Sequence, residues 1–287
     1  MFAHTTSQVL ETRGHVFLID CGEGTQVELR RNKIKFNQIK HIFISHLHGD
    51  HFFGLIGLIS TFRLLKRESD LNIYGPVGIK DIITLQLKSS KSWVNFNLLF
   101  HEISSASSEC IYEDDKVNVF TIPLKHRIYT NGYLIREKTY DRKLLIDKVH
   151  ANNIDVAYYR KLKQGSDVYN KFNSIIKNTE VTTIGKIPKS YAFCSDTAYY
   201  EPIISIIKNV NVLYHESTFL EKDKNLCEKT MHSTAKQAAK IAKLASVEKL
   251  ILGHFSSRYK DLNLFIQEAE TVFNSVDLAE DGKIFNF

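Results

Sequence analysis

The segment with the clearest chemical potential is His46–His51, which reads HLHGDH and directly follows a predicted strand at His41–Ser45. Three histidines and one aspartate in this order are expected by chance on the order of once in a thousand chains of this composition. In a tight loop, the first two histidines can point one way while the aspartate and the third histidine point another. One loop can therefore provide two neighbouring cation sites. Imidazole and carboxylate suit Zn²⁺ and also accept iron or manganese. The alternative is a histidine-rich surface turn.

Residues of the same ligand type recur just past other predicted strands. They are His126, Asp196, the His215-Glu216 pair and His254. Any one of these histidines alone is more often an ordinary core or surface residue. Because open sheets place their sites at strand ends, the recurrence favours a shared binuclear metal site.

Short apolar strands alternate with amphipathic helices, a pattern typical of a layered α/β fold. The predicted strands are Val16–Ile19, His41–Ser45, Leu71–Tyr74, Val117–Ile122, Tyr191–Ser195, Val212–His215 and Leu250–Leu252. The predicted helices are Leu55–Lys66, Ile79–Leu87, Ala235–Ala245 and Asp261–Phe273, with a further helical segment at Asp141–His150. Ser233 or Thr234 is the expected N-cap of the third helix.

The net charge of +6 over 287 residues is concentrated in one segment. Residues 136–190 contain 12 basic and 6 acidic side chains, and the rest of the chain balances. This polar stretch between two core strands predicts a surface arm, with a disordered loop as the alternative. Its charge fits either a solvated face or a footprint for a polyanion.

Composition excludes several protein classes. Four widely spaced cysteines without a CxxC pair argue against a thiolate metal site or a disulfide framework, and predict reduced, buried thiols. The chain contains no apolar run of 18 residues, so no membrane span is expected.

Several motifs together resemble the metallo-β-lactamase superfamily and, within it, the ribonuclease Z family of tRNA 3′-processing endonucleases. They are DCGEGTQ at 20–26, SHLHGDH at 45–51, SDT at 195–197, HEST at 215–218, HST at 232–234 and HFSSRY at 254–259. The resemblance implies a four-layer αββα sandwich, formed by one domain over residues 1–287. It also implies a basic, tRNA-binding arm inserted at 140–187.

The resemblance further implies a ligand set for two Zn²⁺ ions, with Mn²⁺ or Fe²⁺ as other candidates. The first ion is held by His46, His48 and His126, and the second by Asp50, His51 and His254. Asp196 bridges the two ions. Asp20 orients one of the ligands without binding a metal ion itself.

The same family pattern implies roles in catalysis and substrate binding. His232 is the candidate proton donor to the leaving oxygen, oriented by Glu216, and Asp50 can manage the proton of the nucleophile. Ser256 and Arg258 are candidate phosphate contacts. In the arm, Arg160, Lys161 and Lys163, with Tyr158 and Tyr159, suit phosphate contact and stacking. The family's arm tip is rich in glycine and proline, whereas residues 152–157 here contain neither.

The resulting expectation is a cytoplasmic, homodimeric endoribonuclease that removes 3′ trailers from precursor tRNA. Metal-activated hydroxide would attack a phosphodiester, leaving a 3′-hydroxyl on the tRNA and a 5′-phosphate on the trailer. An alternative with the same fold is a hydrolase of a small ester or a cyclic nucleotide. A third possibility is a non-catalytic RNA-binding scaffold, which the filled ligand set disfavours.

Overall fold

The computed structural model describes residues 4–287, which form two compact units. One unit comprises residues 4–136 together with Ser190–Phe287, and the other comprises Glu137–Lys189. The first unit contains two large sheets, and the second contains short helices and two-stranded sheets.

The first large sheet has five strands in the order β1-β2-β3-β4-β5. They are β1 (Gln8–Thr12), β2 (His15–Ile19), β3 (Ile39–Phe43), β4 (Leu71–Pro76) and β5 (Leu98–Ile103). Strands β1 and β2 are antiparallel, and β2 to β5 are parallel. The helices of this part are α1 (Thr25–Arg31), α2 (Gly49–Phe52), α3 (Leu55–Leu64) and α4 (Ile79–Ser89).

Three strands follow before the inserted unit begins. They are β6 (Cys110–Glu113), β7 (Val117–Pro123) and β8 (Asn131–Glu137). The inserted unit then contains β9 (Lys143–Leu144), α5 (Ile146–Ala151), α6 (Tyr159–Lys163), β10 (Val168–Tyr169), β11 (Ile175–Ile176), α7 (Asn178–Val181) and β12 (Thr182–Thr183). Its own apolar cluster comprises Val149, Ile154, Leu162, Val168, Ile176 and Val181.

The remaining strands complete the second large sheet. They are β13 (Ser190–Cys194), β14 (Val212–Glu216), β15 (Lys249–Gly253) and β16 (Val276–Leu278). The order is β16-β15-β14-β13-β8-β7-β6, and β13 to β16 run parallel. The accompanying helices are α8 (Ile203–Ile206), α9 (Lys224–Thr230), α10 (Ala235–Leu244) and α11 (Asn263–Glu270).

Alternation along the strands divides the core of this unit into three apolar layers. In β2, Val16 and Leu18 pack with α3 and α4, whereas Phe17 and Ile19 pack with residues of the second sheet. On the far side of the second sheet, Leu213 and other strand residues pack with α10 and α11. Because side chains of a strand alternate between faces, one strand can serve two layers. The result is the predicted αββα sandwich.

The predicted strands are all present, with boundaries shifted by one or two residues. The strand expected at His41–Ser45 ends at Phe43, because the Ser45 amide donates to the Asp20 carboxylate instead of a neighbouring strand. Thr234 caps α10 in a capping box with Gln237. The sequence pattern did not reveal β1, β5, β6, β8 or β16, nor the short strands β9 to β12 of the inserted unit.

Three helix predictions need correction. The helix at Leu55–Lys66 ends at Leu64, because Lys66 adopts a left-handed backbone (φ 55°) and the Arg67 amide returns to the Phe62 carbonyl. The helix expected at Asp261–Phe273 spans only Asn263–Glu270. The helix expected at Asp141–His150 begins at Ile146, because Lys143–Leu144 pair with Thr182–Thr183 in a short sheet.

The four cysteines are free, and three of them are buried. Cys110 is exposed on β6, so the expectation of uniformly buried thiols was wrong at this position. Within residues 4–287, no helix combines the length and apolar character needed to cross a bilayer.

Candidate metal centre

The loop that follows β3 is held in place by hydrogen bonds to the side chain of Asp20. This carboxylate is fully buried and accepts hydrogen bonds from the Ser45 amide (2.7 Å) and the Ser45 hydroxyl (2.9 Å). It also lies 2.7 Å from Nδ1 of His51. Because Nδ1 donates to Asp20, Nε2 is the nitrogen of His51 that is left to bind a cation.

One group of ligand-type atoms comprises His46, His48, His126 and Asp196, all within 4.8 Å of one another. Nε2 of His46 lies 2.9 Å from Nδ1 of His48 and 3.5 Å from Oδ2 of Asp196. Nδ1 of His126 donates to the Met231 carbonyl (3.0 Å), which directs Nε2 toward the same Oδ2 at 3.7 Å. These four side chains therefore converge on one point.

A second group comprises Asp50, His51 and His254. Nε2 of His51 and Nε2 of His254 lie 3.3 and 3.1 Å from Oδ1 of Asp196, the oxygen that the first group does not use. Asp196 thus presents one carboxylate oxygen to each group. This is the arrangement expected of a ligand shared between two cations.

The chemistry of this cluster fits metal ions. Nε2 of His51 is buried and has no hydrogen-bond partner within the described chain, and a buried polar atom of this kind calls for a partner. Burial, reinforced by His51, lowers the pKa of His46 to about 2, so this imidazole is neutral. Interaction with His254 lowers the pKa of Asp50 to about 2. Neutral imidazoles and ionised carboxylates are the forms that bind divalent cations.

The charges of Asp196 and His254 also depend on their neighbours. Burial opposes ionisation of Asp196, but the neighbouring His254 and His51 hold the pKa of its carboxyl well below the usual range. Burial also disfavours the charged form of His254, yet the Asp196 carboxylate raises its pKa to about 9. A cation would replace this proton between the two side chains.

Glu216, at the end of β14, organises the next layer of hydrogen bonds. It is fully buried and accepts from Nδ1 of His232 (2.8 Å), the Thr197 amide (3.0 Å) and the Thr218 hydroxyl (2.8 Å). Burial opposes its ionisation, but the hydrogen bond from His232 holds the pKa of Glu216 below its ordinary value. Because the Thr218 hydroxyl donates to Glu216, its oxygen accepts from Nδ1 of His254 at 2.9 Å.

His232 lies beside the cluster with one ring nitrogen committed to Glu216. Its ring stacks on that of His254, with centroids 5.2 Å apart, and it shares a potential ligand group with Asp196 and His254. The opposite nitrogen, Nε2, is therefore the one available to a substrate. The hydrogen bond to Glu216, at the end of β14, holds the ring in this position.

Three residues of the cluster have a left-handed backbone conformation. Asp20, Asp196 and His254 have φ values of 59°, 53° and 58°, and each lies within two residues of a strand end. Such conformations are uncommon for residues other than glycine, and they often mark functional sites. The sharp turn redirects each side chain from the strand direction into the cluster.

The candidate phosphate contacts lie next to this layer. The Ser256 amide donates to the Thr218 carbonyl (3.1 Å), and Nε of Arg258 lies 3.2 Å from the Ser256 hydroxyl. The Arg258 guanidinium also lies over the Phe219 ring, 5.2 Å from its centroid. Sequence analysis missed Thr218 as a positioning residue, although a polar residue two positions after Glu216 was the available signal.

The predicted arm residues belong to the inserted unit. Arg160, Lys161 and Lys163 are exposed on α6, whereas Leu162 between them is buried in the unit's own apolar cluster. Nζ of Lys161 lies over the Tyr158 ring at 5.7 Å. These side chains form a solvated basic face.

Comparison with known proteins finds relatives that are named ribonuclease Z. Ribonuclease Z of Bacteroides fragilis is 42% identical over 277 residues, covering 96% of this chain and 91% of the relative. Ribonuclease Z of Porphyromonas gingivalis is 42% identical over 278 residues, covering 97% and 91%. A family model described as anti-Pycsar protein Apyc1 matches residues 3–126, less than half of the chain.

Comparison with solved structures finds a tRNase Z and another protein of the metallo-β-lactamase fold. The human tRNase Z short form superposes with a TM-score of 0.70 at 26% identity, covering 98% of this chain and 92% of that one. A metallo-beta-lactamase fold protein of Bacillus subtilis gives a TM-score of 0.66 at 17% identity, which supports the fold alone. The chain is a metallo-β-lactamase fold protein that belongs to the ribonuclease Z family.

Proposed function

We propose that this chain is a zinc-dependent endoribonuclease that removes 3′ trailers from precursor tRNA. The products would be a tRNA with a 3′-hydroxyl and a trailer with a 5′-phosphate. As a member of the ribonuclease Z family, the chain is an endoribonuclease that acts on phosphodiester bonds. The observation that carries the finer proposal is the pair of ligand groups facing the two oxygens of Asp196.

One cation would be held by His46, His48 and His126, and the other by Asp50, His51 and His254, and the Asp196 carboxylate would be available to both. When bound, two such cations supply the positive charge that activates water and neutralises a phosphodiester. Zinc suits imidazole and carboxylate donors, and manganese or iron can use the same set.

We assign the proton transfers of the reaction to side chains of this chain. Hydrolysis adds hydroxide to phosphorus and breaks the bond from phosphorus to the ribose 3′-oxygen, which must gain a proton. We assign this proton to Nε2 of His232, because Glu216 holds Nδ1 and can stabilise the charged ring. Asp50, a member of the second ligand group, has a half-exposed side chain, and we assign to it the proton of the attacking water.

Substrate binding is assigned to two surfaces. Arg258, oriented by Ser256 and Phe219, suits contact with a phosphate near the cleavage site. The basic face of Arg160, Lys161 and Lys163 in the inserted unit suits contact with the phosphates of the tRNA backbone.

We also propose a homodimer and a cytoplasmic location. Val27, Phe53 and Leu64 of the first unit are exposed apolar side chains and are candidates for a contact between copies. Light scattering of the purified protein tests the dimer. The cytoplasmic location follows from the proposed substrate.

The deciding experiment incubates purified, zinc-loaded protein with a precursor tRNA that carries a 3′ trailer, and maps both product ends. We expect one cut near the discriminator base, with the end groups stated above. The matched variant His48→Ala removes a metal ligand, so cleavage should be abolished while tRNA affinity changes little.

Failure of folded, metal-loaded protein to cut the precursor would overturn the proposal. Faster turnover of a small ester or a cyclic nucleotide than of precursor tRNA would favour the alternative hydrolase. Metal content measured on the same sample shows whether the ligand groups are filled.

A further inference from the structure

The hairpin formed by β10 and β11 in the inserted unit has two apolar faces. Val168 pairs with Ile176, and both side chains are buried in the unit's apolar cluster. Tyr169 pairs with Ile175 on the opposite face, where the two residues are 52% and 63% exposed. Directly paired residues of a two-stranded sheet share a face, so Tyr169 and Ile175 form one solvent-facing patch.

The turn of this hairpin adds a third apolar side chain. Phe172 is 73% exposed. The Asn170 side-chain carbonyl accepts hydrogen bonds from the amides of Phe172 and Ser174, each at 2.9 Å. The Lys171 amide donates to the Asn153 carbonyl at 3.1 Å. The turn is therefore held in one conformation while it displays a phenyl ring to solvent.

The surroundings of this patch limit what can cover it. Residues 137–189 carry eleven basic and six acidic side chains, a net charge of +5. Lys171 immediately precedes Phe172, and Lys177 immediately follows β11. Three exposed apolar side chains on one short, ordered hairpin are typical of a binding surface, and these lie in a strongly cationic unit. RNA matches both properties, because its bases offer flat apolar faces and its backbone offers negative charge.

We infer that Tyr169, Phe172 and Ile175, here called the hairpin face, bind exposed base and ribose faces of the precursor tRNA. The neighbouring Lys171 and Lys177 contact its phosphates. This inference rests on the proposed tRNA substrate and adds a stacking surface to the basic residues Arg160, Lys161 and Lys163. The element that carries it differs from residues 152–157, where sequence reasoning placed the tip of the arm.

The two kinds of contact predict different salt dependence. Phosphate contacts weaken with added salt because counterions are released on binding, whereas stacking is nearly independent of salt. Replacing one stacking aromatic weakens RNA binding about 5- to 100-fold. Loss of the hairpin face should therefore lower affinity by a similar factor at every salt concentration.

The test compares Phe172→Ala and the double variant Tyr169→Ser/Phe172→Ala with the full-length parent. Binding is measured with precursor tRNA over a range of KCl, in the His48→Ala background that prevents cleavage. We expect 5- to 100-fold weaker binding with an unchanged salt slope for the aromatic variants. Lys171→Ala should instead flatten the slope, and Phe172→Tyr should restore affinity.

A matched control is Leu85→Ser, which replaces a comparably exposed apolar residue (65%) on α4 of the other unit. It should bind tRNA as the parent does. Turnover of bis(p-nitrophenyl) phosphate by the otherwise wild-type protein reports the metal centre without RNA, and Phe172→Ala should leave it unchanged.

These readouts separate the inference from the proposed function. If the wild-type protein cuts precursor tRNA and the double variant binds and cuts equally well, the hairpin face is not an RNA contact. If the double variant changes the mass found by light scattering but not the tRNA affinity, the face joins two copies of the chain and the inference is wrong. If the wild-type protein does not cut precursor tRNA at all, the proposed function itself fails.

Discussion

At the scale of single residues, three of the five candidate ligand histidines are oriented by a hydrogen bond to the ring nitrogen that faces away from the cluster. Asp20 holds Nδ1 of His51, the Met231 carbonyl holds Nδ1 of His126, and Thr218 holds Nδ1 of His254. In all three cases Nε2 is left facing Asp196. Such partners fix the tautomer and the ring orientation, so their loss affects metal binding without removing a ligand.

Thr218 provides the cleanest test of this arrangement. Thr218→Val preserves the shape of the side chain but removes the hydroxyl that links His254 to Glu216. We expect metal affinity or cleavage activity to fall about 10- to 100-fold. The measurement is zinc affinity by competition with a chelator, together with the cleavage rate at saturating zinc.

Thr218→Ser keeps the hydroxyl and serves as the control, with near-parental zinc affinity. Equal zinc affinity and activity in the valine variant would show that the hydroxyl does not position His254.

At the scale of elements, the sequence predicts which strand ends carry the ligands. It does not predict the backbone conformations that direct the ligand side chains into one cluster. Apolar runs ending in His or Asp are visible at β7, β13 and β15, because strand alternation and ligand chemistry are local properties. The left-handed conformations of Asp196 and His254 are not visible, because they depend on packing around the strand ends.

Several strands also could not be predicted from the sequence, for physical reasons. In β5, exposed and partly buried positions alternate weakly, and only Ile103 is fully buried. β6 is a short edge strand with no buried residue. The hydrogen bond from Thr218 to Glu216 likewise arises only when the turn after β14 is formed. Weak burial and nonlocal contacts leave no periodic signal in the sequence.

The corner between α2 and α3 illustrates how elements hold the metal loop. The Cys21 amide donates to the His51 carbonyl (2.7 Å), and the Gly54 amide donates to the Cys21 carbonyl (2.9 Å). A Cβ atom at Gly54 would collide with the Gly22 carbonyl oxygen. The glycine therefore permits the close approach that places His51 against Asp20.

We expect Gly54→Ala to destabilise the protein by roughly 1–3 kcal/mol, because backbone must move to make room. It should also weaken zinc binding. Urea unfolding and zinc titration measure the two effects.

Gly57→Ala, within α3, is the control, since its Cβ would meet only the flexible end of Gln26. Helix propensity favours alanine there, so stability should stay level or rise by up to about 1 kcal/mol. If both variants unfold alike, the close approach at Gly54 has no structural role.

At the scale of the whole molecule, charge is unevenly distributed between the two units. Replacing Arg160, Lys161 and Lys163 together with alanine removes half of the cationic excess of residues 136–190. We expect weaker tRNA binding and a flatter salt dependence, with the slope of log K against log[salt] reduced by up to about 3. Turnover of a small phosphodiester should not change.

Binding measured from low to high KCl checks this expectation. The double variant Lys66→Ala/Lys88→Ala, outside the inserted unit, is a control for nonspecific loss of charge. A triple variant that keeps the parental slope would assign tRNA binding to another surface.

A second whole-molecule property is sensitivity to acid. His41 lies between the sheets, with its ring 4.3 Å from that of Tyr112. Burial, together with the nearby His15, His101 and Lys40, lowers the pKa of His41 to about 4, although Asp114 favours its charged form. The unfolded chain binds a proton at this side chain below about pH 6.5, whereas the folded chain resists protonation until about pH 4. Stability is therefore complete above pH 6.5 and declines as the pH falls toward 4.

His41→Phe removes this titration and should make the free energy of unfolding less dependent on pH. Between pH 7 and pH 5 the parent should lose about 1–2 kcal/mol more than the variant, since the ring is only partly buried. Urea unfolding at both pH values, at equal metal content, measures the difference. His150→Gln, at an exposed position, should follow the parent. A parent and a His41→Phe variant with equal pH dependence would show that His41 is protonated as readily in the folded chain as in the unfolded one.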